Sequence, residues 1–124
     1  MNWSAVAAIL LGLAVGIGAF GAHGLRGHIS DDSLRVYETA VMYHFFHALG
    51  LLGVAALAKV GLLTEKGADR VAMLLVAGIA LFSGSLYLLA ITGVTALGVV
   101  TPFGGVCFIA GWLALAYERL KRKS

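Results

Sequence analysis

"WSAVAAILLGLAVGIGAFGA", residues 3–22, runs for twenty residues without a charge, the length an α-helix needs to cross a hydrocarbon core of roughly 30 Å. The competing reading is a secretory leader, and small residues at Ala19 and Gly21 are compatible with a cleavage site. No Lys or Arg precedes the run, however, and it exceeds the roughly 7–15 residues of a signal core. It is expected to stay in place as the first span.

The chain leaves this span through "GAFGAHGLRGH", residues 18–28, and enters a mixed polar segment with Arg26, Asp31, Asp32, Arg35 and Glu38. Ser30 is placed to cap a new helix, with the two aspartates favouring its first turn and Asp31 and Arg35 at i, i+4. That helix is expected to begin outside the membrane and continue through it over Thr39–Ala58. "KVGLLTEKGADR", residues 59–70, reads as a polar connector between two halves, and Val71–Thr92 as the third span. Residues 93–100 are uncharged and read either as a tight turn or as a shallow re-entrant element. Pro102 fits the first turn of a fourth helix, where its missing N–H costs nothing. The expected fold is therefore all-α and integral to the membrane: one domain, a four-transmembrane-helix bundle with spans at about 3–22, 39–58, 71–92 and 102–117.

Composition agrees. The 124 residues are 60% hydrophobic and only 12% charged, with a mean hydropathy of +0.96, where soluble domains carry about 25% charge. The net charge of +3 does not indicate nucleic-acid binding, because the basic residues flank apolar runs and form no patch with aromatic readers. They read as topology signals. With both termini in the cytoplasm, Lys59, Lys66, Arg70, Arg119, Lys121, Arg122 and Lys123 lie inside and only Arg26 and Arg35 outside. The tail "ERLKRKS" would then face anionic lipid. Cys107 is the single cysteine, so no intrachain disulfide forms.

Polar groups inside a span mark candidate sites, since each is costly unless paired. "YHFFHALG", residues 43–50, places His44 and His47 one turn apart with Tyr43 beside them, and "LFSGSLYLLA", residues 81–90, places Ser83, Ser85 and Tyr87 at mid-membrane. His23 follows a helix of small residues and could reach across to another span. These seven residues form the candidate polar pocket, read either as hydrogen-bonded packing between helices or as a path for ions or protons. Haem or metal binding through His23 and His47 is a weaker alternative, because a metal needs further ligands. If span two enters the membrane near Thr39, His47 lies roughly 12 Å deeper than His23. Gly12, Gly16, Gly21, Gly84, Gly104, Gly105 and Gly111 are read as close-packing positions. No carboxylate falls inside any expected span, and none of the motifs HExxH, GxSxG, Walker loop or dinucleotide fingerprint is present. No catalytic residue, metal or cofactor is assigned.

"GAFGAHGL" (18–25), "YETAVMYHFFHAL" (37–49), "LFSGSLYLLA" (81–90) and "TPFGGVCFIAGW" (101–112) together resemble a small bacterial inner-membrane family of unknown function, related to the eukaryotic transmembrane protein 256. The resemblance implies a multi-pass protein of the bacterial inner (plasma) membrane with His23 and His47 as the characteristic histidines and the His44 position commonly filled by another polar residue. It implies no reaction, substrate or cofactor. The function expected is noncatalytic, through contacts with membrane lipid, a further copy or another membrane protein, in support of envelope integrity or a larger complex. A small transporter or channel is the alternative.

Overall fold

In hydrocarbon a backbone can satisfy its N–H and C=O groups only within its own helix or a closed barrel, and each apolar run of this chain is helical. A computed structural model describes residues 1–121, which form α1 (Trp3–Phe20), α2 (Asp31–Lys59), α3 (Glu65–Gly78), α4 (Gly84–Thr92) and α5 (Thr101–Lys121). A π-helical turn, Gly21–Leu25, extends α1, and a second, Ile79–Ser83, joins α3 to α4 in one rod. Four helical rods of membrane-crossing length and apolarity result: Trp3–Leu25, Asp31–Lys59, Glu65–Thr92 and Thr95–Lys121. Arg122 and Lys123 of the basic tail lie outside the described residues.

Side-chain caps set the starts. Asn2 accepts from the Ala5 N–H, Ser30 from Ser33 and Thr64 from Gly67, at 2.9–3.0 Å. The Ser30 cap lets α2 begin outside the apolar segment as expected, although Arg35 pairs with Asp32 and not with Asp31. The Thr64 cap moves the third span's start to Glu65, so Asp69 and Arg70, expected in a connector, stand on α3. Gly93, at φ 73°, ends α4 in the left-handed conformation. Residues Thr95–Val99 then form a 3₁₀ turn with no buried residue that runs directly into α5. A re-entrant element would need protein around its backbone, so the segment is a turn.

The rods do not contribute equally to the interior. One third of the apolar window is buried in each of the second and third spans, against 17% in the first and fourth. α2 and the α3–α4 rod form the central pair, with α1 along α2 and α5 along α3, while α4 lies chiefly against α2. The main core gathers Leu51, Val54, Val71 and Leu75 with Ala7, Ala48 and Phe108; a smaller one at the other end holds Leu25, Leu34, Tyr37 and Ala90.

Between α5 and the α3–α4 rod, glycines allow the approach that dispersion needs in lipid. A Cβ at Gly104 would collide with the Phe82 backbone, one at Gly78 with the Phe108 ring, and one at Gly111 would lie 3.0 Å from Leu75. Gly21 gives the Tyr37 ring its place in the same way, and a Cβ at Gly105 would lie 3.9 Å from Phe82. The expectation for Gly12 and Gly16 is corrected: both are exposed, and a Cβ on either would meet no other part of the protein within 4 Å, because the buried side of α1 is that of Ala7 and Ala14. Gly84 is corrected too, since a Cβ there would come no nearer than 4.0 Å to a neighbour, the Ile79 carbonyl of the preceding turn.

Candidate functional site

The turn Ile79–Ser83 presents the Ser83 hydroxyl of the FSGS segment to α2. The Oγ–H of Ser83, fully buried, donates to the Ala40 carbonyl of α2 at 2.8 Å. Ser85 donates to the Phe82 carbonyl at 3.0 Å, which leaves Thr101 to donate to Ser85 across 2.6 Å. One turn on, Tyr87 Oη and Nδ1 of the buried His44 share a hydrogen bond of 2.8 Å. The Tyr87 ring tilts against Tyr37, centroids 5.3 Å apart. Tyr37 in turn donates to the Ile17 carbonyl of α1 at 2.5 Å. Hydroxyls and imidazole thus tie α1, α2 and the α3–α4 rod together along two turns of α2, from Tyr37 to His44. The His44 ring lies near the Leu10 backbone, but its Nε2 closes no hydrogen bond.

His47, three residues on, belongs to a different group. Its Nδ1–H donates to the Tyr43 carbonyl at 2.8 Å, and its ring stacks on Phe108 of α5 with Trp112 tilted beside it. Tyr43 completes the cluster against Phe82 and Phe108. Trp112 lies over Gly50, whose absent Cβ makes room for the indole.

The seven candidate pocket residues therefore do not line one pocket. His44, Tyr87 and Ser83 bond at the α2–α4 contact, Ser85 turns to Thr101, and His47 and Tyr43 join an aromatic stack toward α5. His23 is exposed on the π-helical turn that ends the first span. Tyr37, packed on Gly21 of that turn, precedes His47 by ten residues of α2, roughly 15 Å along the axis. His23 is on that ground set apart from the other candidates of the pocket. Among the described residues, no three His, Cys, Asp or Glu side chains gather as a metal would require.

The open spaces lie elsewhere. An apolar groove of about 420 Å³ runs between α2 and α5 past Gly50, Gly53, Trp112 and Leu115. A larger cleft, about 920 Å³, opens where α1 begins, α2 ends and α3 begins, with Lys59 and Lys66 on its rim.

The sequence reading missed an ionic cluster at this same end. Glu118 is only 3% exposed, with Arg70 Nη1 2.9 Å from Oε2 and Lys121 Nζ 3.3 Å from Oε1. Gly67 leaves the space its carboxylate fills. Trp3 Nε1–H donates to Asp69 at 2.7 Å, tying α1 to α3. The expected place of Glu118 in a tail that faces lipid is thereby corrected. α5 continues past Tyr117, and Glu118 is buried against α3. The register of the antiparallel pair, which the sequence does not give, puts Gly104 on Phe82 and with it Glu118 near Gly67 and Arg70.

Fold and site together define a multi-span helical membrane protein, cross-linked inside by hydroxyls and imidazole and closed at one end by buried charge. The chain belongs to the family described as "Protein of unknown function (DUF423)", whose model matches residues 17–105. It is 50% identical over 113 residues to the UPF0382 membrane protein YwdK of Bacillus subtilis, covering 88% of each chain. It is 48% identical over 109 residues to the UPF0382 membrane protein SERP0230 of Staphylococcus epidermidis, covering 88% of this chain and 87% of the relative. No solved structure matches the chain.

Proposed function

We propose that the protein is noncatalytic and acts at its lipid-facing surface, through contacts with lipid and with other membrane helices, in support of envelope integrity or a larger complex. The observation that carries this reading is the engagement of the intramembrane polar groups: Ser83, Ser85 and His47 bond to backbone carbonyls, and His44 bonds through Nδ1 to Tyr87. Such groups act as glue between helices, and a site for substrate would hold some of them open toward a cavity. The outer surfaces of the two flanking spans are what the protein offers to its surroundings. On this reading it is a multi-pass protein of the bacterial inner (plasma) membrane with both termini cytoplasmic, because the basic residues concentrate at that end.

Chemical cross-linking of the protein in native-like lipid, followed by mass spectrometry, tests the proposal. Cross-links to a second copy or to another membrane protein, or a measurable lipid preference, are expected. Monomers alone, with no partner and no preference, would overturn it. So would ion or proton flux in liposomes that falls on His47→Ala.

A further inference from the structure

From the cleft where α1 begins and α2 ends we infer a binding site for one anionic phospholipid, with its phosphate between Lys59 and Lys66 and an acyl chain on Leu52, Ala55 and Ala56. The inference deepens the lipid-contact reading above and rests on it.

The cleft joins two kinds of surface in the order a phospholipid presents them. Its floor is the last two turns of α2, where Leu52, Ala55 and Ala56 offer only apolar atoms and, at Ala55 and Ala56, little bulk. Its rim at the membrane surface is charged. Lys59 and Lys66 are both exposed and take part in no ion pair or hydrogen bond among the described residues. The acidic groups nearby are largely committed. Asp69 accepts the Trp3 indole N–H, and Glu118 is held by Arg70 and Lys121. Glu65 lines the rim as well, so two lysines face one carboxylate without a partner.

Charge over the whole molecule points the same way. At this end the described residues carry five basic groups, Lys59, Lys66, Arg70, Arg119 and Lys121, against Glu65, Asp69 and Glu118. At the other end Arg26 and Arg35 stand against Asp31, Asp32 and Glu38. Basic residues beside a membrane draw anionic headgroups. Here they do so next to an apolar path of the right polarity and with two lysines free to respond.

Reconstitution in nanodiscs holding equal amounts of phosphatidylglycerol and phosphatidylcholine, followed by native mass spectrometry of the lipids retained, tests the site. Wild-type protein is expected to retain phosphatidylglycerol several-fold over phosphatidylcholine. Lys59→Gln with Lys66→Gln should abolish that enrichment. Ala55→Leu, which keeps both lysines and narrows the floor, should lower it. Arg119→Gln, which removes a charge from the same end outside both the cleft and the Glu118 ion pairs, should leave it intact, whereas Lys66→Gln alone should already lower it. Enrichment that survives the lysine pair, a loss in Arg119→Gln equal to that in Lys66→Gln, or full retention in Ala55→Leu would each overturn the site. Absence of enrichment in wild type would overturn it alone where cross-linked partners persist, and the wider reading as well where they do not.

Discussion

The imidazole of His47 lies face to face on the ring of Phe108, with centroids 3.5 Å apart and planes 15° from parallel. The contact joins α2 to α5, and Gly78 leaves the space in which Phe108 sits. His47 is thereby held as a flat aromatic surface, its Nδ1 proton already given to the Tyr43 carbonyl.

If the ring's shape is what matters, His47→Phe should be nearly neutral. The carbonyl that loses the imidazole is one the helix ladder already uses, so a change below about 1 kcal/mol is expected. His47→Ala removes the stack and should cost about 1–3 kcal/mol. Unfolding in mixed micelles followed by circular dichroism distinguishes them. Equal losses in the two variants would show that the ring nitrogens, and not the stack, hold the site.

Gly104 and Gly12 make a contrasting pair. Gly104→Val drives side-chain atoms into the Phe82 backbone, which cannot rotate away, and a loss of about 1–3 kcal/mol or more is expected. Gly12→Val enters open space, and its effect on unfolding of the isolated protein should stay within about 0.5 kcal/mol. Melting curves in detergent check both. A substantial loss in Gly12→Val would mean that α1 is packed on that side after all.

The spans themselves were legible in the sequence, because an uncharged run of twenty residues has few other uses, and so were the cap at Ser30 and the place of Pro102. The facing of the helices was not. An i, i+4 pair of small residues marks a side of a helix without saying what meets it, so Gly12 and Gly16 stand out in the sequence while Gly50 and Gly78, with no such partner, do not. The site failed for a related reason. His44 and His47 are one turn apart, but α2 is central and meets a different helix on each side, so neighbours in sequence serve different contacts. In the sequence Asp69 and Arg70 read as connector and Glu118 as tail because charge ends a hydropathy window, and pairing between helices is invisible to such a window.

The His44–Tyr87 bond is open to a double-mutant cycle. Tyr87→Phe and His44→Phe each remove one partner, and the coupling between them is expected at about 0.6–2 kcal/mol, the range of interhelical hydrogen bonds in membranes. Additive losses, measured by the same unfolding assay, would show that the two groups are neighbours without mutual stabilisation.

At the charged end the order of two variants matters. Arg70→Ala leaves the Glu118 carboxylate buried with Lys121 as its remaining partner, and a buried charge stripped of a partner is costly. Glu118→Gln removes the charge and leaves Arg70, whose side chain is 60% exposed, to water. Arg70→Ala is therefore expected to be the more destabilising, by about 1–3 kcal/mol, discounted from the fully buried case because the arginine side is screened. The reverse order in chemical unfolding would show that the carboxylate reaches water unaided.

The π-helical turn at Ile79–Ser83 has a geometric consequence of its own. There the Gly84 N–H reaches back five residues, to Ile79, where an α-helix would reach back four. Each residue of an α-helix advances the side-chain direction by about 100°, and the wide turn absorbs one residue without passing that rotation on. The half of the rod before the turn packs on both α5 and α2, and the half after it chiefly on α2. Deleting one residue within the turn would let it close as an α-turn and leave Ser85 and Tyr87 facing as they do. The same deletion within α3 would rotate what precedes it by about 100° against α4, so the wide turn is where this rod tolerates a change of length.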